Sequence, residues 1–76
     1  MDRRPSPPLT ARQLDVLVAM IRRVTTKAAA HELRLSEHTV RGHLAAIRRR
    51  TRCESNEQVI YVGTRDGWLR VHDLGV

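Results

Sequence analysis

The chain has 76 residues, a mass of 8.7 kDa and a net charge of +6 at pH 7, and this length predicts a single small domain rather than a multidomain enzyme. Its single cysteine, Cys53, excludes an intramolecular disulfide, and its longest apolar run, Val16 to Ile21, is too short for a membrane span. We therefore expect a cytoplasmic, nucleoid-associated protein with no membrane partner. The basic excess indicates a polyanionic partner, most often nucleic acid.

The positive charge lies in the middle of the chain. Residues 22–52 contain nine basic and two acidic residues, whereas residues 53–76 contain two basic and four acidic ones. We therefore expect the polyanion-binding surface in the middle third, and a different role for the last third.

The chain begins with a predicted flexible arm over residues 1–8, which contain all three prolines. A helical domain is predicted over residues 9–70, followed by a tail over 71–76. Its first helix is expected from Ala11 to Ile21, because apolar residues recur there with a helical period. Thr10 is the predicted N-cap, and Gln13 completes a capping box.

The second and third helices are predicted to be short and closely spaced. The second runs from about Thr26 to Leu33, with Thr25 or Thr26 as its N-cap. After a three-residue break, Ser36 caps a third helix over 37–50. Leu35, in the break, is placed to fill the core between the two helices.

The fourth helix is predicted over residues 55–67, with Ser55 and Gln58 as a second capping box and Gly67 at its end. The face expected to pack on the first and third helices consists of Val59, Ile60, Gly63 and Gly67. Trp68, Leu69 and Val71 are expected to fold back and close the core.

A short helix, a three-residue turn and a basic helix form the pattern of a helix-turn-helix. The third helix carries small and cationic residues opposite its apolar stripe: His38, Arg41, Gly42, Ala45, Ala46 and Arg49. Small side chains allow close approach to a major groove, and long donors reach base edges. This combination favours duplex DNA binding over the alternative that the arginines only solvate an exposed helix.

The segment Ser36-Glu37-His38-Thr39-Val40-Arg41-Gly42-His43, preceded by Leu9-Thr10-Ala11-Arg12-Gln13, resembles the LuxR/GerE-type DNA-binding domain. The resemblance covers residues 9 to about 69 and implies an all-α, four-helix helix-turn-helix fold that regulates transcription. Arg23 and Arg34 stand where the family usually has glycine, so these bends require left-handed strain or a different path. Ala29 stands where the family usually has a core isoleucine, and this smaller residue predicts a thinner core or more closely packed helices.

The resemblance also implies which residues contact DNA. Its base-facing positions are Arg41, Gly42 and Ala45, and its phosphate-facing positions are Lys27, Thr39 and His43, with Ser36 and Arg50. Lys27, Ser36 and Thr39 also start helices, where free backbone N–H groups favour phosphate. For His43, a satisfied and partly buried histidine is the alternative.

Other chemistry is not indicated by the sequence. His31, His38, His43, His72 and Cys53 lack zinc-finger spacing, and no motif frames a nucleophile. We therefore expect no metal site, no cofactor and no catalytic activity.

The fourth helix is the predicted protein-binding surface. Tyr61, Val62 and Asp66 are expected to face outward, and the resemblance implies a homodimer through this helix; isolated surface apolar residues are the alternative. The sequence thus predicts a sequence-specific duplex-DNA regulator with residues 37–50 in the major groove. The alternative is a protein-interaction module, a helix-turn-helix relic or a sigma-region-four-like domain, that acts by binding a larger regulator or RNA polymerase.

Overall fold

The computed structural model describes residues 6–70, which form four α-helices with no strand among them: α1 Ala11–Arg23, α2 Thr26–Leu33, α3 Glu37–Thr51 and α4 Asn56–Asp66. The predicted all-α class and the order of the elements are confirmed. No helix in this part of the chain is long and apolar enough to cross a membrane. Most of the predicted arm, the predicted tail and Val71 lie outside the described residues.

Side-chain hydrogen bonds define the starts of all four helices. The capping box of α1 is confirmed, because Thr10 Oγ1 accepts from the Gln13 backbone N–H at 3.1 Å and Gln13 Oε1 accepts from the Thr10 N–H at 3.0 Å. Thr25, rather than Thr26, caps α2, and Ser36 caps α3 as predicted. These bonds satisfy N–H groups that have no partner within the helix.

The predicted capping box of α4 is wrong in its second half. Ser55 Oγ accepts from the Gln58 N–H at 3.1 Å, but Gln58 Oε1 accepts from the N–H of Glu54 at 2.8 Å instead of Ser55. The glutamine side chain thus reaches one residue further back than the motif implies. It joins α4 to the connection that precedes it.

Among residues 6–70, three non-glycine residues have positive φ: Val24 at 72°, Arg34 at 58° and Arg52 at 58°. The left-handed strain predicted at Arg34 is therefore present, whereas Arg23 is the last helical residue of α1 and Val24 takes the bend that follows. The left-handed conformation of Arg34 and Arg52 costs a non-glycine residue about 1–2 kcal/mol. The connections between the four described helices contain no glycine, and Gly67 is the first glycine at a helix end.

A single buried cluster holds the helices together. It contains Val16 and Leu17 of α1, Ala30 of α2, three residues of α3 and Val59 of α4. Ala29 is also fully buried, and Leu35 packs against the cluster from the turn. Helix α3 contacts each of the other three helices, so it is the central element of the fold.

The end of the described chain closes the core as predicted, since Trp68 and Leu69 are buried. The packing of α4, however, differs from the prediction. Its backbone lies close to α3 but not to α1. Trp68 and Leu69 cover the Gly63 face of α4, so that this face packs on the following chain rather than on α1.

Candidate nucleic-acid interface

The two sides of α3 differ sharply in exposure. Val40, Leu44 and Ile47 are buried, as their spacing predicts. The opposite face consists of exposed His38, Arg41, Gly42 and Arg49 and half-exposed Ala45 and Ala46. The structure therefore places the three predicted base-facing residues, Arg41, Gly42 and Ala45, on the solvent side of the helix.

Arg41 projects from this face but has an intramolecular partner. Its Nη2 donates to Glu37 Oε1 at 3.1 Å, one helical turn earlier, and its side chain is 63% exposed. Sequence reasoning assigned no role to Glu37. The i, i+4 spacing of a glutamate before an arginine was the available signal.

Gly42 lies at the centre of the exposed face. Apart from its two chain neighbours and the nearby backbone of α3 itself, nothing in residues 6–70 lies within 4 Å of the position that a Cβ would occupy there. The fold itself therefore does not require glycine at this position, although glycine weakens a helix interior by about 1 kcal/mol relative to alanine. The backbone of α3 is open to close approach from outside.

Ser36 and Thr39 form a small hydroxyl pair at the start of α3. Ser36 Oγ accepts from the Thr39 backbone N–H at 3.0 Å and donates to Thr39 Oγ1 at 2.9 Å. Thr39 retains its own hydroxyl hydrogen for a further acceptor. Lys27, the third residue predicted at a helix start, is exposed in the first turn of α2.

His43 and Arg50 lie on the same edge of α3 as Thr39, because residues i, i+4 and i+11 coincide on a helix. His43 is half-buried, a position that suits both interpretations given for it above. Arg50 is exposed, and its Nε donates to the Pro8 carbonyl at 2.9 Å. This bond joins the segment before α1 to the last turn of α3.

Besides Arg41 and Arg50, three cations of residues 22–52 have partners within the protein. Glu32 Oε1 binds Arg22 at 3.3 Å and Arg23 at 2.7 Å, which links α1 to α2. Half-buried Arg48 donates from Nη1 to Asn56 Oδ1 at 2.8 Å and links α3 to α4. The net charge of the segment therefore overstates the number of cations that can reach a ligand.

The outer face of α4 is less apolar than predicted. Tyr61 is 64% exposed, but Val62 is half-buried and packs against the core cluster. Arg65 lies over the Tyr61 ring at 5.7 Å and donates to Asp66 at 3.0 Å; this hydrogen bond raises the pKa of Arg65. Of the predicted exposed Tyr–Val pair, only the tyrosine is largely in solvent.

Residues 6–70 contain no group of three or more His, Cys, Asp or Glu side chains that could hold a metal ion. The thiol of Cys53 is buried and lies 3.5 Å from the Thr51 carbonyl oxygen. Burial and this local partner give Cys53 a place in the core.

Two short helices joined by a tight turn, the second with an exposed cationic face, define a helix-turn-helix protein. The family model of bacterial regulatory proteins of the luxR family (GerE) matches residues 7–62, and the chain belongs to this family. It is accordingly a DNA-binding regulator of transcription. Comparison with curated proteins and with solved structures gives no match.

Proposed function

We propose that this chain recognises specific sites in duplex DNA, with α3 lying in the major groove. The observation that carries the proposal is the open surface at Gly42, beside the exposed guanidinium of Arg41. A major groove is only slightly wider than a helix, so a face without bulky side chains at its centre suits close entry. Arg41 then supplies paired donors for guanine O6 and N7.

The proposed base-reading residues are Arg41, Gly42 and Ala45. Gly42 and Ala45 bring the helix close to the base edges, and Ala45 presents a methyl group that can contact a thymine methyl. Their shared exposure on one side of α3 supports this division of roles.

The proposed phosphate-binding residues surround that face: Lys27, Ser36, Thr39, His43 and Arg50. The free hydroxyl hydrogen of Thr39 and the N-terminal end of α3 favour a phosphate oxygen. Arg50 donates to Pro8 through Nε alone, so its two terminal nitrogens suit a second phosphate.

We also propose that the chain acts as a homodimer through α4, with Tyr61, Val62 and Asp66 at the contact. A two-fold dimer would place two copies of α3 on half-sites at a fixed separation. The exposed Tyr61 ring, held against Arg65, is the feature that supports this contact.

Selection of bound sites from random duplex DNA, followed by anisotropy titrations of two variants, tests the proposal. Arg41→Ala should cost about 1–3 kcal/mol on the selected site and little on scrambled DNA, because a base contact is lost. Lys27→Ala should weaken both duplexes equally and lower the salt slope by about one unit, because a phosphate contact is lost.

Arg22→Ala is the matched control, since it removes one exposed cation on α1 while Glu32 keeps its ion pair with Arg23, and it should leave both affinities unchanged. Equal losses on both duplexes for Arg41→Ala would assign it to phosphate binding. A wild-type protein that enriches no site would contradict the proposed function and favour a protein-interaction module.

A further inference from the structure

Glu37 is the single acidic residue of α3, and it lies at the end of the helix that is proposed to enter DNA. A recognition helix contacts base edges mainly through its N-terminal residues, so Glu37, in the first turn of α3, would lie close to the DNA. A carboxylate there repels DNA of every sequence. Its presence on the DNA-facing helix therefore calls for a physical explanation.

The stability of the fold explains little of the presence of Glu37 on this helix. The Glu37–Arg41 pair is an exposed i, i+4 ion pair, with side chains 42% and 63% exposed. Exposed pairs of this kind contribute little to folding. A carboxylate in the first turn of a helix also interacts favourably with the helix dipole. Glu57 does this in α4, where no arginine is proposed to read a base, so the dipole does not explain why Glu37 is paired with Arg41.

The geometry shows what Glu37 does to Arg41. One carboxylate oxygen, Oε1, takes a single donor, the Nη2 group, at 3.1 Å. A guanidinium has five N–H donors, so several remain for a base. The contact restricts a long, flexible side chain to one region of the surface, which lowers the entropy lost when it binds a base.

The same contact changes how Arg41 interacts with phosphate. A paired guanidinium carries little net charge into a non-specific complex, so it releases fewer counterions there. The two hydrogen bonds from Arg41 to guanine depend on the geometry of its donors, so they can still form while Arg41 is bound to Glu37. Specificity is the difference between the two affinities, and it grows when the non-specific one falls.

We propose, on the basis of the proposed function, that Glu37 is a specificity-determining residue. It positions Arg41 for base contact and weakens binding to DNA that lacks the base which Arg41 reads.

The test uses the full chain with Glu37→Gln, titrated against the selected and scrambled duplexes at several salt concentrations. The scrambled duplex should bind several-fold more tightly, with a salt slope steeper by about 0.9, because Arg41 is released to a phosphate. The selected duplex should gain less, so the ratio of the two affinities should fall.

Glu57→Gln is the matched control, since it removes an exposed carboxylate from the first turn of α4 and should leave that ratio unchanged. In protein that already carries Arg41→Ala, adding Glu37→Gln should not change the ratio further, because Glu37 acts through Arg41. Thermal unfolding of each variant verifies that the fold is intact.

Equal gains on both duplexes for Glu37→Gln would overturn the inference and reduce Glu37 to a general repulsive charge. A change of ratio that persists without Arg41 would overturn it as well. Both results presuppose that the wild-type chain discriminates between the duplexes, so failure of the proposed function is recognised separately.

Discussion

Two helix-interior glycines of this molecule differ in whether the packing of the protein requires them. Gly42 in α3 and Gly63 in α4 are both helix-interior glycines. A Cβ at residue 42 would meet open space, whereas a Cβ at residue 63 would lie 2.9 Å from Leu69 Cβ and from the Trp68 ring. Gly63 is required by packing within the protein, and Gly42 is not.

Gly42→Ala should therefore stabilise the free protein by about 1 kcal/mol, because alanine favours a helix interior over glycine. The same change should weaken binding to the selected duplex by ~1–3 kcal/mol, since a methyl group would be forced into a closely packed groove contact. Chemical denaturation measures the first effect and anisotropy the second. Unchanged affinity would show that α3 does not approach DNA closely at this residue.

Gly63→Ala provides the control in the same helical setting. Leu69 Cβ is attached directly to the backbone and cannot move aside cheaply, so overpacking of about 1–3 kcal/mol outweighs the gain in helix propensity. We expect a lower midpoint of denaturation. A stabilised Gly63→Ala protein would contradict the packing of Trp68 and Leu69 against α4.

At the scale of elements, α3 and α4 begin in the same way, and only one of them is proposed to contact DNA. Ser36 and Ser55 each accept a hydrogen bond from the backbone N–H three residues later. Ser36 additionally donates to Thr39 Oγ1, which orients a second hydroxyl at the start of α3.

Ser36→Ala and Ser55→Ala should each reduce the free energy of unfolding by ~1 kcal/mol, the usual cost of a lost N-cap. Only Ser36→Ala should also weaken DNA binding, by about 1 kcal/mol on both selected and scrambled duplexes, because a phosphate contact carries no sequence information. Denaturation and anisotropy under identical conditions give both numbers. Equal DNA affinity for the two variants would show that the start of α3 does not contact DNA.

Elements were predictable to the extent that their signals are local. The cap of α1, the apolar stripe of α3 and the glycine that ends α4 each depend on residues a few positions apart. The predicted α4 capping box is wrong because the chain path before the helix brings the N–H of Glu54, and not that of Ser55, to the Gln58 side chain. Sequence spacing does not describe that path.

At the scale of the whole molecule, two large apolar residues of the described chain are exposed: Tyr61 at 64% and Val24 at 77%. They lie on different elements, Tyr61 on α4 and Val24 at the bend between α1 and α2. The proposed dimer uses the first and leaves the second in solvent.

Tyr61→Asp should shift the protein toward monomer, since it places a charge in the centre of the proposed contact. Val24→Asp changes the other exposed apolar side chain and should leave association intact, while a positive φ suits aspartate better than valine. Sedimentation equilibrium of free and DNA-bound protein distinguishes the two. If both variants and the wild type are all dimers, the dimer contact lies elsewhere. If all three are monomers, with and without DNA, the proposed dimer is wrong.

The amino-acid sequence by itself determined the helices, their order, the buried stripe of α3 and the membership of the luxR family. Helical periodicity, capping residues and the Ser36–His43 motif depend only on residues that are close together in the sequence. They can therefore be recognised without knowing how the helices pack. The same periodicity predicted the face of α3 opposite the core, because the core side of a helix fixes its opposite side. The choice of Arg41, Gly42 and Ala45 within that face was implied by the family resemblance.

Only the tertiary structure decided which cations are free and which surfaces are exposed. Arg48 is bound to Asn56, Arg50 is bound to Pro8, and Val62 is half-buried rather than outward. It also assigned the strained bend to Val24. These outcomes depend on how helices pack and where the connecting chain runs, which brings together groups that are distant in sequence and whose pairing no local pattern encodes.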